Sequence, residues 1–316
     1  MFEKFFNLVE NPFSMSPDPR FLMATPLHRE AIAGLVYGVT ERKGFMVLTG
    51  EAGTGKTTVM RAVADALPET VQFSYVLNPA MSASELLEHV LLDLGVDDVP
   101  ESKARRMFKL GDLFSARHRA GQVSALIVDE AHKLAPEVLE EVRLLTNFET
   151  NTEKMLQIVL VGQPELGELL QLPDLRQLKQ RIALRFKVTP LPPEEVPHYI
   201  EHRWVRAGGG ANLPFPDEAL EMVKQHSQGI PRLINAICEN SLLAAYAAGS
   251  QTVEPEHVEA VAQNLDLTGE GDDGVEGTEM SAMEATAGGG AEMPNLARVP
   301  VKKSAKHWFS KLSIAR

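Results

Sequence analysis

From residue 44 onward, short apolar runs alternate with longer amphipathic stretches. "GFMVLTG" (44–50) is an apolar run ending in glycine, the pattern of a strand buried on both faces. "TTVMRAVADAL" (57–67) reads as helix and "VQFSYVL" (71–77) as strand. The stretch 82–95 predicts a helix with marked ends, a Ser-x-x-Glu capping box at Ser82 and Glu85 and a terminating Gly95. A helix rich in Arg and Lys follows over roughly 101–119, with Met107, Leu110 and Phe114 facing inward. "SALIVDEA" (124–131) reads as strand, and 136–148 as a helix opened by Pro136. "LQIVLVGQ" (156–163) and "ALRFKVTPL" (183–191) complete a set of five strands. Strands alternating with helices predict an α/β fold with a five-stranded parallel sheet covered on both faces.

From Pro192 the strand signal stops, and four helical segments run to Leu267 as a small all-α unit. Upstream, residues 1–25 read as an irregular segment pinned by Phe5, Phe6, Phe13 and Phe21. A helix follows with Ile32, Leu35, Val36 and Val39 on one face. Residues 268–300 are dominated by Gly and acidic side chains, a composition too poor in bulky apolar groups to order itself. The last sixteen residues turn basic, with Trp308, Phe309, Leu312 and Ile314 interspersed. They read as a floppy tail or as a short amphipathic anchor for a membrane or a partner. The expected organisation is an N-terminal segment and sheet body over 1–191, a helical unit over 192–267, and an acidic linker with a basic tail over 268–316.

Charge and cysteine content narrow the class. A net charge of −12 over 316 residues argues against a chain coated in nucleic acid by bulk electrostatics. Cys238 is the single cysteine, so no internal disulfide forms. It shares an apolar face with Ile234, Ile237 and Leu242 and reads as a buried thiol. No apolar run approaches transmembrane length, and the first residues lack a signal peptide's apolar core. A cytoplasmic protein, peripheral at the inner membrane through its tail, is the expectation.

The chemistry concentrates where strands end. "GEAGTGKT" (50–57) fits G-x-x-x-x-G-K-[ST] between a predicted strand and a predicted helix. Gly50, Glu51, Ala52, Gly53, Thr54 and Gly55 form a loop whose backbone N–H groups turn around phosphate oxygens. Lys56 reaches the outer phosphates, and Thr57 and Thr58 open the helix whose N-terminus favours anions. ATP and Mg²⁺ are the expected ligands, with Thr57 and Asp129 holding the metal. Asp129 and Glu130 end a buried apolar strand, where carboxylates without a partner are costly. Glu130 is the candidate for polarising the attacking water, and His132 reads as the start of the next loop.

With both elements in place, the chain resembles AAA+ ATPases, and more narrowly the ExeA/GspA family of the general secretion pathway. "NPFSMSPDPRFL", "VLVGQPEL", "LKQRI" and "GIPRLIN" carry the narrower likeness across roughly residues 1–267. The ATPase part also resembles transposition regulators of the MuB/TnsC type. The resemblance implies that Arg232, after the Gly-x-Pro turn at 229–231, is a sensor on the helical lid aimed at the γ-phosphate. A cation at a helix start opposes the helix dipole, and a bound anion would explain it. It also implies that Gln163 is a polar sensor beside Glu130, and that one of Arg176, Arg181 or Arg185, with Arg181 favoured, is a finger supplied to a neighbouring subunit. Pro12 and Phe13 read as a wall of the adenine pocket or as plain core packing. Two functions follow: an ATP-hydrolysing switch that assembles a cell-envelope or secretion complex as a homo-oligomer, or an ATP-dependent DNA-binding scaffold. The basic helix 101–119 reads as a DNA or acidic-partner contact, or as a solvated face.

Overall fold

The computed structural model describes residues 1–77, 79–210 and 212–267. The expectations for 268–316 lie outside those residues. After the short helix α1 (Phe2–Phe5) comes α2 (Pro26–Thr40), then β1 (Phe45–Gly50), α3 (Lys56–Ala66), β2 (Val71–Val76), α4 (Ala83–Asp93) and α5 (Lys103–Arg119). The body continues with β3 (Val123–Val128), α6 (Pro136–Leu145), β4 (Leu156–Gly162), α7 (Pro164–Leu169), α8 (Arg176–Lys179) and β5 (Ile182–Val188). The lid is α9 (Val196–Arg206), α10 (Asp217–Ser227), α11 (Pro231–Ala247) and α12 (Pro255–Asn264).

The five strands form one parallel sheet in the order β2-β3-β4-β1-β5. The inner strands β3 and β4 are buried at every position, which is why they read as unbroken apolar runs. Strand β5 lies at an edge and alternates instead. Leu184 and Phe186 pack against α2 and its neighbours, while Ala183, Arg185 and Lys187 are exposed. One sheet face packs on α4, α5 and α6 through residues such as Val47, Leu126 and Leu160. The other packs on α2 and α3 through Met46, Leu48 and Val161. The predicted capping box of α4 is present, with the Glu85 N–H donating to Ser82 Oγ and the Ser82 N–H to the Glu85 carboxylate. A cap of this kind stabilises a helix by about 1 kcal/mol.

The lid has its own core, and the N-terminal segment belongs to it. Phe6, Phe13 and Phe21 are buried among Tyr199, Trp204, Phe215 and Ile237 rather than on the sheet. Side chains of this size contribute about 1.5–3 kcal/mol each when fully buried. Polar links reinforce the attachment. The Val9 N–H donates to the Ala207 carbonyl, Asn11 to Glu239, and the Arg203 guanidinium to the Pro12 and Ser14 carbonyls. On its other side, Arg61 of α3 donates to the Pro17 carbonyl, so the segment spans lid and body. Among the described residues, no helix is long and apolar enough to cross a membrane.

Candidate nucleotide-binding site

The loop between β1 and α3 curls beneath a cleft of about 540 Å³ between body and lid, a volume in the range of small-molecule sites. Ala52 to Thr58 line it; Gly50 and Glu51 sit below, where their carbonyls accept from Lys56 Nζ at 2.8 and 2.9 Å. Burial draws the Lys56 ammonium below its ordinary pKa, and Glu130, Asp129 and Glu51 pull it back up. Gly53 stands at φ 79°, a left-handed conformation that suits glycine. A Cβ there would meet Cβ of Arg232 at 2.7 Å.

Asp129 directly follows β3 and is buried. Its Oδ2 accepts from Thr57 Oγ1 and from the Tyr75 hydroxyl, both at 3.1 Å, and its Oδ1 accepts from the Glu130 N–H at 2.9 Å. Burial raises its pKa, against the three donors that favour the carboxylate. Thr57 and Asp129 thus set a hydroxyl beside a carboxylate. Such oxygen donors suit Mg²⁺, a hard cation that completes its shell with phosphate oxygens and water.

Glu130 adopts φ 52° and turns its carboxylate toward Lys133, 3.0 Å away, with His132 Nε2 at 3.7 Å. His132 Nδ1 accepts from the Gln163 N–H at 3.3 Å. The histidine read as the start of a loop therefore links the two candidate groups Glu130 and Gln163, which both line the cleft. His28 is a second residue that sequence reasoning missed. It completes the cap of α2 with Thr25, and its Nε2 lies 3.4 Å from the Thr54 carbonyl. Burial lowers its pKa.

The lid reaches the loop through Arg232. Its N–H donates to the Gly53 carbonyl at 3.2 Å, and its side chain lines the cleft beside Pro231 and Asn235. The turn before it is held by Leu191, whose N–H donates to the Gly229 carbonyl at 2.8 Å. Pro12 and Phe13 do not line the cleft. Phe13 is wholly buried against Phe215, so packing rather than an adenine wall describes it. The stretch Ser14–Asp18, with Leu22 and Met23, lines the cleft instead. Cys238 is fully buried, and burial pushes its thiol pKa far up.

Arg181 lies elsewhere. It sits at the amino end of β5, where it donates to Thr146 Oγ1 at 2.7 Å. The basic helix α5 has much of its charge engaged within the chain. Lys103 pairs with Glu141, Arg106 with Glu88, and Lys109 with Asp98, while Arg117 donates to Gln72 and the Leu94 carbonyl.

Comparison with known proteins agrees with this geometry. The AAA domain family matches residues 39–170. The architecture superposes on Cdc6p from Pyrobaculum aerophilum with a TM-score of 0.63 at 20% identity, over 81% of this chain and 71% of that one. This chain has the AAA+ fold. The AAA+ chain is 43% identical over 254 residues to general secretion pathway protein A of Aeromonas hydrophila, which bears out the likeness carried by its motifs. That match takes in 80% of this chain but 46% of the relative, so the chain spans about half of that relative's length. A shorter match, 34% identical over 118 residues, links it to Mu-like prophage FluMu DNA transposition protein B of Haemophilus influenzae, covering 37% of each. AAA+ domains are nucleotide-binding P-loop folds, and the cleft lies over the glycine-rich loop of this one.

Proposed function

We propose that this chain binds and hydrolyses Mg-ATP between body and lid, and that the cycle switches the assembly of a cell-envelope secretion complex. The observation that carries the reading is the approach of Arg232 to the loop. A cation on the lid lies against the same glycine-rich turn that presents Lys56. In this reading Lys56 and the loop N–H groups hold the phosphates, Arg232 reads the γ-phosphate, and the lid follows its presence or loss. Glu130 leaves Lys133 to orient the attacking water, with Gln163 beside it. Mg²⁺ held by Thr57 and Asp129 would neutralise charge on the transferring phosphoryl group. Arg181, which does not line its own cleft, serves a neighbouring subunit in this reading, so the complete site belongs to a homo-oligomer. The secretion setting, at the cytoplasmic side of the inner membrane, is supported by the relative named general secretion pathway protein A.

The second reading, a DNA-bound scaffold, draws on the match to transposition protein B. The ion pairs along α5 leave it less support. Titration calorimetry of the purified chain with Mg-ATP tests the first reading, and absence of binding heat would overturn it. Long duplex DNA added with ATP is expected to migrate unchanged in a gel. ATP-dependent, salt-sensitive retardation would favour the scaffold.

A further inference from the structure

Tyr75 lies one residue before the end of β2 and is 1% exposed. It does not line the cleft, yet its hydroxyl donates to Asp129 Oδ2. That oxygen also accepts from Thr57, the other candidate metal-binding residue. Phenylalanine would fill the same space, so the added hydroxyl bears on the direction of the carboxylate. Strand β2 is an edge of the sheet, and α4 covers the outward backbone of Tyr75. The Tyr75 N–H donates to Asp93 Oδ2 at 3.2 Å, and Ser74 Oγ donates to the same oxygen at 3.0 Å. His89 Nε2 lies 3.4 Å from the Tyr75 carbonyl and 3.3 Å from Asp93. A histidine and an aspartate one helical turn apart thus grip both backbone groups of one residue, whose side chain then grips Asp129.

The geometry points to Tyr75 as a positioning residue for the metal-binding carboxylate, fixed from outside the cleft by the His89–Asp93 pair on α4. This inference rests on the Mg-ATP reading. Thr57 is expected to turn its hydroxyl toward the cation, which leaves Tyr75, among the described residues, as a side-chain donor to Oδ2. Groups that orient a metal ligand commonly alter metal affinity by about 10- to 100-fold when removed.

The test titrates Mg²⁺ into the protein with a fluorescent ATP analogue, with a parallel arm in EDTA. Tyr75→Phe is expected to bind the analogue like the parent in EDTA and to need about tenfold more Mg²⁺ for half-saturation. A general loss of packing would weaken both arms. Asp93→Asn, which keeps the phenol, is expected to shift the Mg²⁺ curve in the same direction by a smaller factor. It carries the test if Tyr75→Phe does not accumulate folded. Coincident Mg²⁺ curves for parent and variants would overturn the inference alone. A parent that does not respond to Mg²⁺ would overturn the Mg-ATP reading and this inference with it.

Discussion

The two ends of the sheet use polar residues in opposite ways. At the carboxyl ends of β1, β3 and β4, Lys56, Glu130 and Gln163 converge on an open cleft, with Asp129 just behind Thr57. At the amino ends, several polar groups bond one another around a dent of about 200 Å³. The Gly44 N–H donates to Gln157 Oε1 at 2.8 Å, Gln157 Nε2 donates to the Lys154 carbonyl at 2.9 Å, and Arg181 donates to Thr146. The contrast follows from chain direction. A loop leaving a parallel strand runs into a helix N-terminus, whose N–H groups and dipole favour anions. Crevices at strand carboxyl ends are where open α/β sheets bind ligands. One end holds its charged groups at an open cleft and the other is packed closed, with Arg181 bonded to Thr146 there.

The largest effect should come from separating the ends onto different subunits. Lys56→Ala is expected to abolish nucleotide binding, and Arg181→Ala to bind ATP but turn it over poorly. Mixed together, they should regain hydrolysis, because one supplies an intact cleft and the other an intact arginine. A mixture as inactive as its parts, measured by phosphate release, would place Arg181 with the merely structural residues of the amino end. Next in size, Glu130→Gln should keep ATP affinity and slow hydrolysis by about 10²–10⁴-fold, the usual worth of a positioned acid–base group. Sedimentation with ATP should then find any ATP-dependent oligomer persisting longer than in the parent. The smallest effect probes the closed end. Gln157 is fully buried, and Gln157→Leu would strand the Gly44 N–H at a cost of about 1–3 kcal/mol. Thermal unfolding should show the loss while ATP affinity stays put; a matching fall in affinity would blur the contrast between the ends.

Much of this was legible in the chain. The five strands and the lid helices appear because their burial is written in local periodicity, and the P-loop because a backbone shape needs glycines at fixed spacing. Partnerships across the sheet were not legible. Tyr75 reads as one more apolar strand residue until β2 is paired with β3, with Tyr75 beside Ile127 and Asp129 just beyond the ladder. His132 looks like the start of a loop until β4 is placed next to β3 and brings Gln163 within reach. The aromatics of the first 21 residues were visible as anchors, but nothing local says that their partners lie beyond residue 190. Similarly, α5 looks basic in sequence, and the acids that answer it come from α4, α6 and the loop before α5.

That last-to-first packing has a consequence for how the molecule is made. Phe6, Phe13 and Phe21 leave the ribosome first, and Tyr199, Trp204, Phe215 and Ile237 are synthesised some two hundred residues later. At ribosomal speeds of about 5–20 residues per second, the leading aromatics wait on the order of ten seconds or more without their final neighbours. The sheet can assemble during that interval, but the helical unit completes its core only when the segment carrying those aromatics is folded back into it.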